Sequence, residues 1–224
     1  MVIRQYIDEV KLLLRLDKDE TRMDDRFYTS IINSQRALFI KNEVNANKTI
    51  EDNVVQTIGY LEVVPVVGTT LSNRKIKLLK TKVKIPKPIN FKERLALEKI
   101  SIEEFGGYSV TVVDKASAEW VNFEDYTEND IYAYYDNGYI YIKVPEANFK
   151  ASLFTHIRVD LICENPILVS YYKDINGKSY YDVERDDYPI NYALWEYILG
   201  EVVKKLNVPM SIRPTLENDG RENK

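Results

Sequence analysis

Cysteine and histidine are nearly missing from this sequence, each occurring once. The lone Cys163 cannot close an internal disulfide or supply a cysteine-based zinc site. It lies between Ile162 and Glu164-Asn165-Pro166, beside an acid, with neither a base nor a helix N-terminus to activate a thiolate. A core-filling thiol is therefore expected. The lone His156 falls on a strand pattern whose opposite face is apolar; a surface or subunit-contact position satisfies it, and general-base duty in a triad is not expected. Glycine is too sparse for a phosphate loop, since Gly106-Gly107 lacks the further glycines and the Lys-Ser/Thr pair that cradle a phosphate. Long apolar runs are missing as well. No stretch approaches the roughly eighteen apolar residues of a membrane span, and Met1 to Leu16 already carries Arg4, Asp8, Glu9, Lys11 and Arg15. Neither a secretory signal nor a membrane anchor is expected.

The acidic cluster Glu124, Asp125, Glu128 and Asp130 fails the spacing of a calcium loop. It serves glycoside hydrolysis only if two carboxylates face each other across a cleft. A solvated acidic loop or a docking surface is the simpler expectation, with no metal and no cofactor.

What is present is an ordinary globular composition: 224 residues, 45% apolar and 29% charged. That is enough for one substantial core, or for a main domain with a smaller one inserted. The formal charge of -4 gives no global attraction to nucleic acid or to an anionic membrane. Its distribution is uneven. Arg74, Lys75, Lys77, Lys80, Lys82, Lys84, Lys87, Lys92 and Arg94 face a single acid, Glu93, whereas residues 116 to 142 hold six acids and no base. Such a layout suits head-to-tail contact between identical copies, with Arg74, Lys75 and Lys77 on one side and Glu124 and Asp125 on the other.

Ile3, Ile7, Val10 and Leu14 recur at helical spacing, with Tyr6 and Leu13 widening the stripe. Thr21 and Asp24 resemble a capping box, and a second helix is predicted to about Asn42. One of its faces carries Phe27, Ile31, Ser34 and Leu38, the next Tyr28, Ile32, Gln35 and Phe39. A stripe that broad implies more than one neighbour. Thr49 and Asp52 predict a short helix through Gln56. Strands are predicted at Tyr60 to Val67, Lys82 to Ile89, Tyr108 to Val113, Ile131 to Tyr135, Tyr139 to Val144, Thr155 to Ile162 and Leu168 to Tyr172. Asn137-Gly138 predicts a tight hairpin turn with Tyr135 and Tyr139 near opposite each other, and residues 174 to 177 predict another turn. Pro189 marks a helix start, Leu194, Trp195, Ile198, Leu199, Val202 and Leu206 its apolar face, and Asn207 and Pro209 its end.

The expected fold is α+β. Terminal helices (1–57 and 186–210) form a helical bundle with a large antiparallel β domain (58–173) inserted between them, a connecting segment (174–185) and a flexible C-terminal arm (211–224) including Arg213. Seventeen tyrosines are present, and those of the hairpin (Tyr132, Tyr134, Tyr139 and Tyr141 among them) are expected on both of its faces. Tyrosine suits interfaces because a rigid ring ends in a hydroxyl. Stacking of unpaired bases calls for interleaved positive charge, which the stretch lacks before Lys143. Carbohydrate binding survives that objection as an alternative. Together with Phe27, Ile31, Phe39, Trp195 and Ile198, these tyrosines are the candidate contact residues.

Several segments resemble a known family. Asp25-Arg26-Phe27-Tyr28 through Asn33-Ser34-Gln35-Arg36-Ala37, Ile40-Lys41-Asn42-Glu43, Gln56-Thr57-Ile58-Gly59-Tyr60-Leu61-Glu62-Val63, Lys84-Ile85-Pro86-Lys87 and Asn137-Gly138-Tyr139-Ile140-Tyr141-Ile142 are similar to the neck ring or adaptor proteins of crAss-like short-tailed phages. The resemblance implies a virion structural protein at the head-to-tail connector, in about twelve copies around the channel, assembled in the host cytoplasm. It implies identical subunits, the portal, and other neck, tail or fibre proteins as partners. Packaged DNA would pass without sequence-specific binding. No catalytic residues carry over. The long β insertion departs from the mainly helical simple adaptors, which leaves tail-fibre attachment as a further role.

Overall fold

A computed structural model of the chain describes residues 1–14, 24–49, 51–66, 76–92, 94–102, 108–121, 130–145 and 154–211, with side chains through 206. The statements below concern those residues. The architecture is α+β: three helices share one apolar cluster, and seven strands close into a barrel.

The helices are α1 (Ile3–Leu13), α2 (Asp25–Asn45) and, at the other end of the chain, α4 (Tyr192–Ser211). The α1 stripe of Ile3, Tyr6, Ile7 and Val10 is buried, as spacing at three and four residues requires. Asp24 starts α2 by accepting from the Arg26 amide; the Thr21 half of the expected capping box lies outside the described residues. Of the two α2 faces, the one with Tyr28, Ile32 and Gln35 turns inward, whereas Phe27, Ser34 and Leu38 stay exposed. Trp195, Ile198, Val202 and Leu206 of α4 complete the cluster, and Tyr6 meets Trp195 edge to face at 4.4 Å.

Two signals around α4 act differently from expectation. Asn191, not Pro189, begins the helix, its side chain accepting from the Ala193 amide; Pro189 instead presents its carbonyl to Arg36. The helix also continues past Asn207 and Pro209 to Ser211, because a proline removes one internal bond without forbidding helical dihedrals in its own residue.

The strands run β1 (Gln56–Pro65), β2 (Ile76–Thr81), β3 (Leu97–Ile102), β4 (Tyr108–Val112), β5 (Tyr132–Asp136), β6 (Tyr139–Pro145) and β7 (His156–Leu161), in the spatial order β1-β2-β6-β5-β4-β3-β7. Every described pairing is antiparallel except β4 with β5, which is parallel and bridged by the short helix α3 (Lys115–Trp120). The expected antiparallel domain is thus a closed barrel with one parallel pair. A parallel neighbour needs a crossover, and residues 113–131 supply it. Ile58, Leu61, Ile100, Ile140, Ile142, Val144, Ile157, Val159 and Leu161 fill the interior.

Other strand expectations shift. The 49–56 segment contains only a 3-10 turn, Asp52–Val54, and Gln56 already belongs to β1. No strand forms over the expected Lys82 to Ile89; the strand here is β2, ending at Thr81 and not anticipated from the sequence, and beyond it the amides of Ile85 and Ile89 bond singly to Gly138 and Ile162, while Pro86 and Pro88 have no amide to give. Leu168 to Tyr172 is a 3-10 turn, Pro166–Tyr171, started by Asn165 accepting from the Ile167 amide. The hairpin turn forms as expected, with Asn137 and Gly138 at φ of 51° and 90°.

A third apolar cluster, with Ile40, Val54, Ile89, Phe91, Ala96 and Ile162, joins the helices to the barrel. At that junction Arg36 is fully buried and donates to three carbonyls: Pro189 at 2.6 Å, Cys163 at 2.9 Å and Val54 at 3.2 Å. Beside it Tyr188 donates to Asn33, which donates to Asn165.

Candidate assembly interface

Two surfaces emerge from this framework. On the helices, the exposed residues Leu12, Leu13, Phe27, Leu38, Tyr192 and Tyr197 stand around the buried cluster, and half-buried Phe39 packs against Tyr197 with ring centroids 6.2 Å apart. Tyr197 is 69% exposed and Tyr192 68%. Both lie at the margin of the helical cluster, so folding of the single chain leaves most of each ring in water. Alongside α2 runs an open groove of about 730 Å³ lined by Ser30, Ser34, Ala37, Asn165, Leu168 and Tyr171.

On the barrel, the period of two along β6 turns Ile140, Ile142 and Val144 inward and Tyr139, Tyr141 and Lys143 outward. Register then places Tyr134 opposite Tyr141, Tyr132 opposite Lys143, and Lys80 of β2 beside Tyr141. The four hairpin tyrosines named from the sequence therefore share one face. The aromatic cross-strand pair is Tyr134 with Tyr141, stacked at 5.1 Å; Tyr135 lies opposite Ile140 and packs toward the interior. Burial, then the neighbouring Tyr141, holds the Tyr134 hydroxyl above its ordinary pKa. Positive charge reaches this face from another strand: the Lys80 and Lys84 ammonium groups lie 5.2 Å and 5.9 Å from the Tyr139 ring centroid. Lys143 is buried under α3, donating to the Ala118 carbonyl, and burial lowers its pKa against the opposing effect of Glu119.

The remaining named residues divide. Trp195 and Ile198 are interior, at 1% and 0% exposure, and Trp195 donates to Glu9 at 2.8 Å, so within the single chain they hold the helices together. Ile31 is half-buried within the helical cluster. Tyr132 is buried and donates to Asp130. Lys77 is exposed on β2. Arg74, Lys75, Glu124, Asp125 and Arg213 lie outside the described residues. Sequence reasoning passes over Trp120, counts Tyr192 and Tyr197 only among the many tyrosines, and names Lys80 and Lys84 only within the basic run, without joining them to the tyrosine face. Period-two alternation in β6 was the signal available for the tyrosine face; nothing in sequence spacing pairs β2 with β6.

His156 is stacked on Tyr60 at 3.7 Å and bonds Thr155. In the charged cleft between α2 and the barrel, Asp160 accepts from Thr57 and Arg158, and Glu98 pairs with Arg94. These carboxylates are engaged by their own chain. Among the described residues no cluster of three or more His, Cys, Asp or Glu side chains could hold a metal ion, and no helix is long and apolar enough to cross a membrane.

Residues 5–224 match the model of a family described as phage tail ring protein 2. The chain belongs to this family. The match includes every segment that resembles the crAss-like phage neck rings, together with all seven strands and α4. No curated protein matches the chain. As a member of a tail ring family it is a structural component of the phage particle, and in a ring protein the surfaces that matter are those left uncovered by its own fold.

Proposed function

We propose that the chain is the repeating subunit of a ring in the head-to-tail connector, extending the portal channel and offering docking surface to other neck, tail or fibre proteins. The observation that carries this is the family match across residues 5–224. It is supported by the exposed helical residues Leu12, Leu13, Phe27, Leu38, Tyr192 and Tyr197, since burying large apolar and aromatic side chains drives association. In this reading about twelve copies surround the channel, the portal and adjoining rings contact the helical end, and packaged DNA passes without sequence readout. Residues 213–224 then serve as an arm toward a neighbour.

The saccharide alternative is less well supported. It needs open ring faces at Tyr139 and Tyr141, and these rings are already engaged by Lys80 and Lys84 and by Tyr134.

Imaging of purified particles tests the proposal. A symmetric ring of this chain at the junction between portal and tail is expected, and double substitution of Leu38 and Tyr197 by aspartate should abolish incorporation without lowering the melting temperature by more than a few degrees. Particles that contain no copy of the chain would sink it.

A further inference from the structure

The barrel wall carries an uncompensated charge site. Of the described basic residues between Ile76 and Arg94, Lys82 pairs with Glu62 at 2.7 Å, Lys87 with Glu164 at 2.8 Å and Arg94 with Glu98 at 3.5 Å, all within the chain. Lys80 and Lys84 differ, because both ammonium groups lean on the single ring of Tyr139. Two like charges sharing one ring repel each other, and a carboxylate placed between them removes that repulsion while the ring holds both side chains in place. Lys84 is exposed, and its stem is braced by the Gly138 turn, where the nearest side-chain carbon lies 3.2 Å from the position a Cβ would take. The site is therefore fixed on rigid elements and open to a partner.

Resting on the ring reading above, we propose that the Lys80–Tyr139–Lys84 site receives the acidic segment of residues 119–130 from the next copy of this chain. Charge complementarity selects that occupant. The segment holds Glu119, Glu124, Asp125, Glu128 and Asp130 with no lysine or arginine. Its described residue Glu119 lies on α3, which packs against β5, whereas Lys80 is on β2, with β6 between those two strands. A surface with donor and acceptor patches at two different places makes a heterologous contact, the kind that closes into a ring. Two lysines are few for gripping a polyanion such as DNA, whose binding rests on many phosphate contacts.

Charge reversal tests this with the full-length chain, alone and with its portal, using mass photometry for ring content. K80E/K84E and E124K/D125K should each raise the concentration needed for assembly by about tenfold or more. Mixing the two in equal amounts should restore rings containing both in a one-to-one ratio, because every junction then joins opposite charges. The four-site combination should assemble by itself. The neutral variant K80Q/K84Q should show an intermediate loss, and it stands in if either reversal fails to fold by circular dichroism. Wild-type assembly by both reversals would overturn the proposal while leaving the ring intact. Rescue by the four-site chain without rescue by mixing would overturn it also, placing the contact within one chain. Normal rings with lost retention of a DNA oligonucleotide by K80E/K84E would assign the site to nucleic acid instead. A wild-type chain that forms no ring with its portal would remove the proposed function itself.

Discussion

The Cys163 thiol donates to the Gln56 side-chain carbonyl at 2.6 Å, and Gln56 in turn donates to Pro166. Burial pushes the thiol pKa up to about 12, despite the nearby Arg36. Tyr172 is likewise pushed up to about 12 by burial, and burial raises Tyr188 as well. These groups are more easily ionised in the unfolded chain, so the fold holds their protons more tightly. Stability is then full below about pH 8.5 and is lost as pH rises toward 12, at roughly 1 kcal/mol per pH unit for each fully buried group. Urea midpoints measured from pH 8 to 11 should fall steadily, and the fall should be shallower in Cys163→Ser. Alkylation by iodoacetamide at pH 8 should require unfolding. The inertness of Cys163 was legible from its neighbours Ile162 and Glu164; its hydrogen bond to Gln56 was not, because that contact spans 107 positions in sequence.

Among the elements, β1 turns on a bulge. Ile58 pairs with Val159 and Leu61 with Ile157, so Gly59 and Tyr60 both stand outside, with Tyr60 at a φ of 58°. A Cβ at Gly59 would come within 2.9 Å of the Tyr180 hydroxyl. Gly59→Ala should cost about 1–3 kcal/mol in chemical denaturation, and combining it with Tyr180→Phe should recover part of that loss non-additively. A similar bulge explains why β3 escaped the sequence reading. Glu98 and Lys99 are both exposed because the register with β7 slips between Leu97 and Lys99, which breaks the alternation that marks a strand. Helix α3 is six residues long, too short for periodicity to show. The Asn137-Gly138 hairpin was readable because its turn chemistry is local. The α4 stripe gave the width of the apolar face but not its direction: α1 and α2 took Trp195 and Ile198, leaving Tyr192 and Tyr197 outside.

For the whole molecule, Arg36 decides whether the two cores behave as one. Its guanidinium fork reaches the segment entering β1, the exit from β7 and the approach to α4. Among the described residues no carboxylate pairs with it, so carbonyl dipoles and the Tyr188 ring, 5.8 Å away, compensate the buried charge. Arg36→Met would leave three buried carbonyls without a donor, and a loss of roughly 3–5 kcal/mol is expected. Arg36→Lys should recover little, since one ammonium cannot reproduce the planar fork. The wild type should unfold in a single transition. In Arg36→Met, Trp195 fluorescence, which reports the helices, should change at a lower urea concentration than far-ultraviolet circular dichroism of the barrel strands; coincident transitions would show that the apolar junction suffices.

Closure of the barrel carries a consequence for how such a subunit is handled in the cell. Each of its seven described strands has a neighbour on both sides, so among the described residues the sheet has no free edge strand on which a second molecule could template a sheet. Copies accumulating before use are thereby kept from sticking edge to edge. Their association is left to side chains, which can be joined, rearranged and released while every strand ladder stays whole.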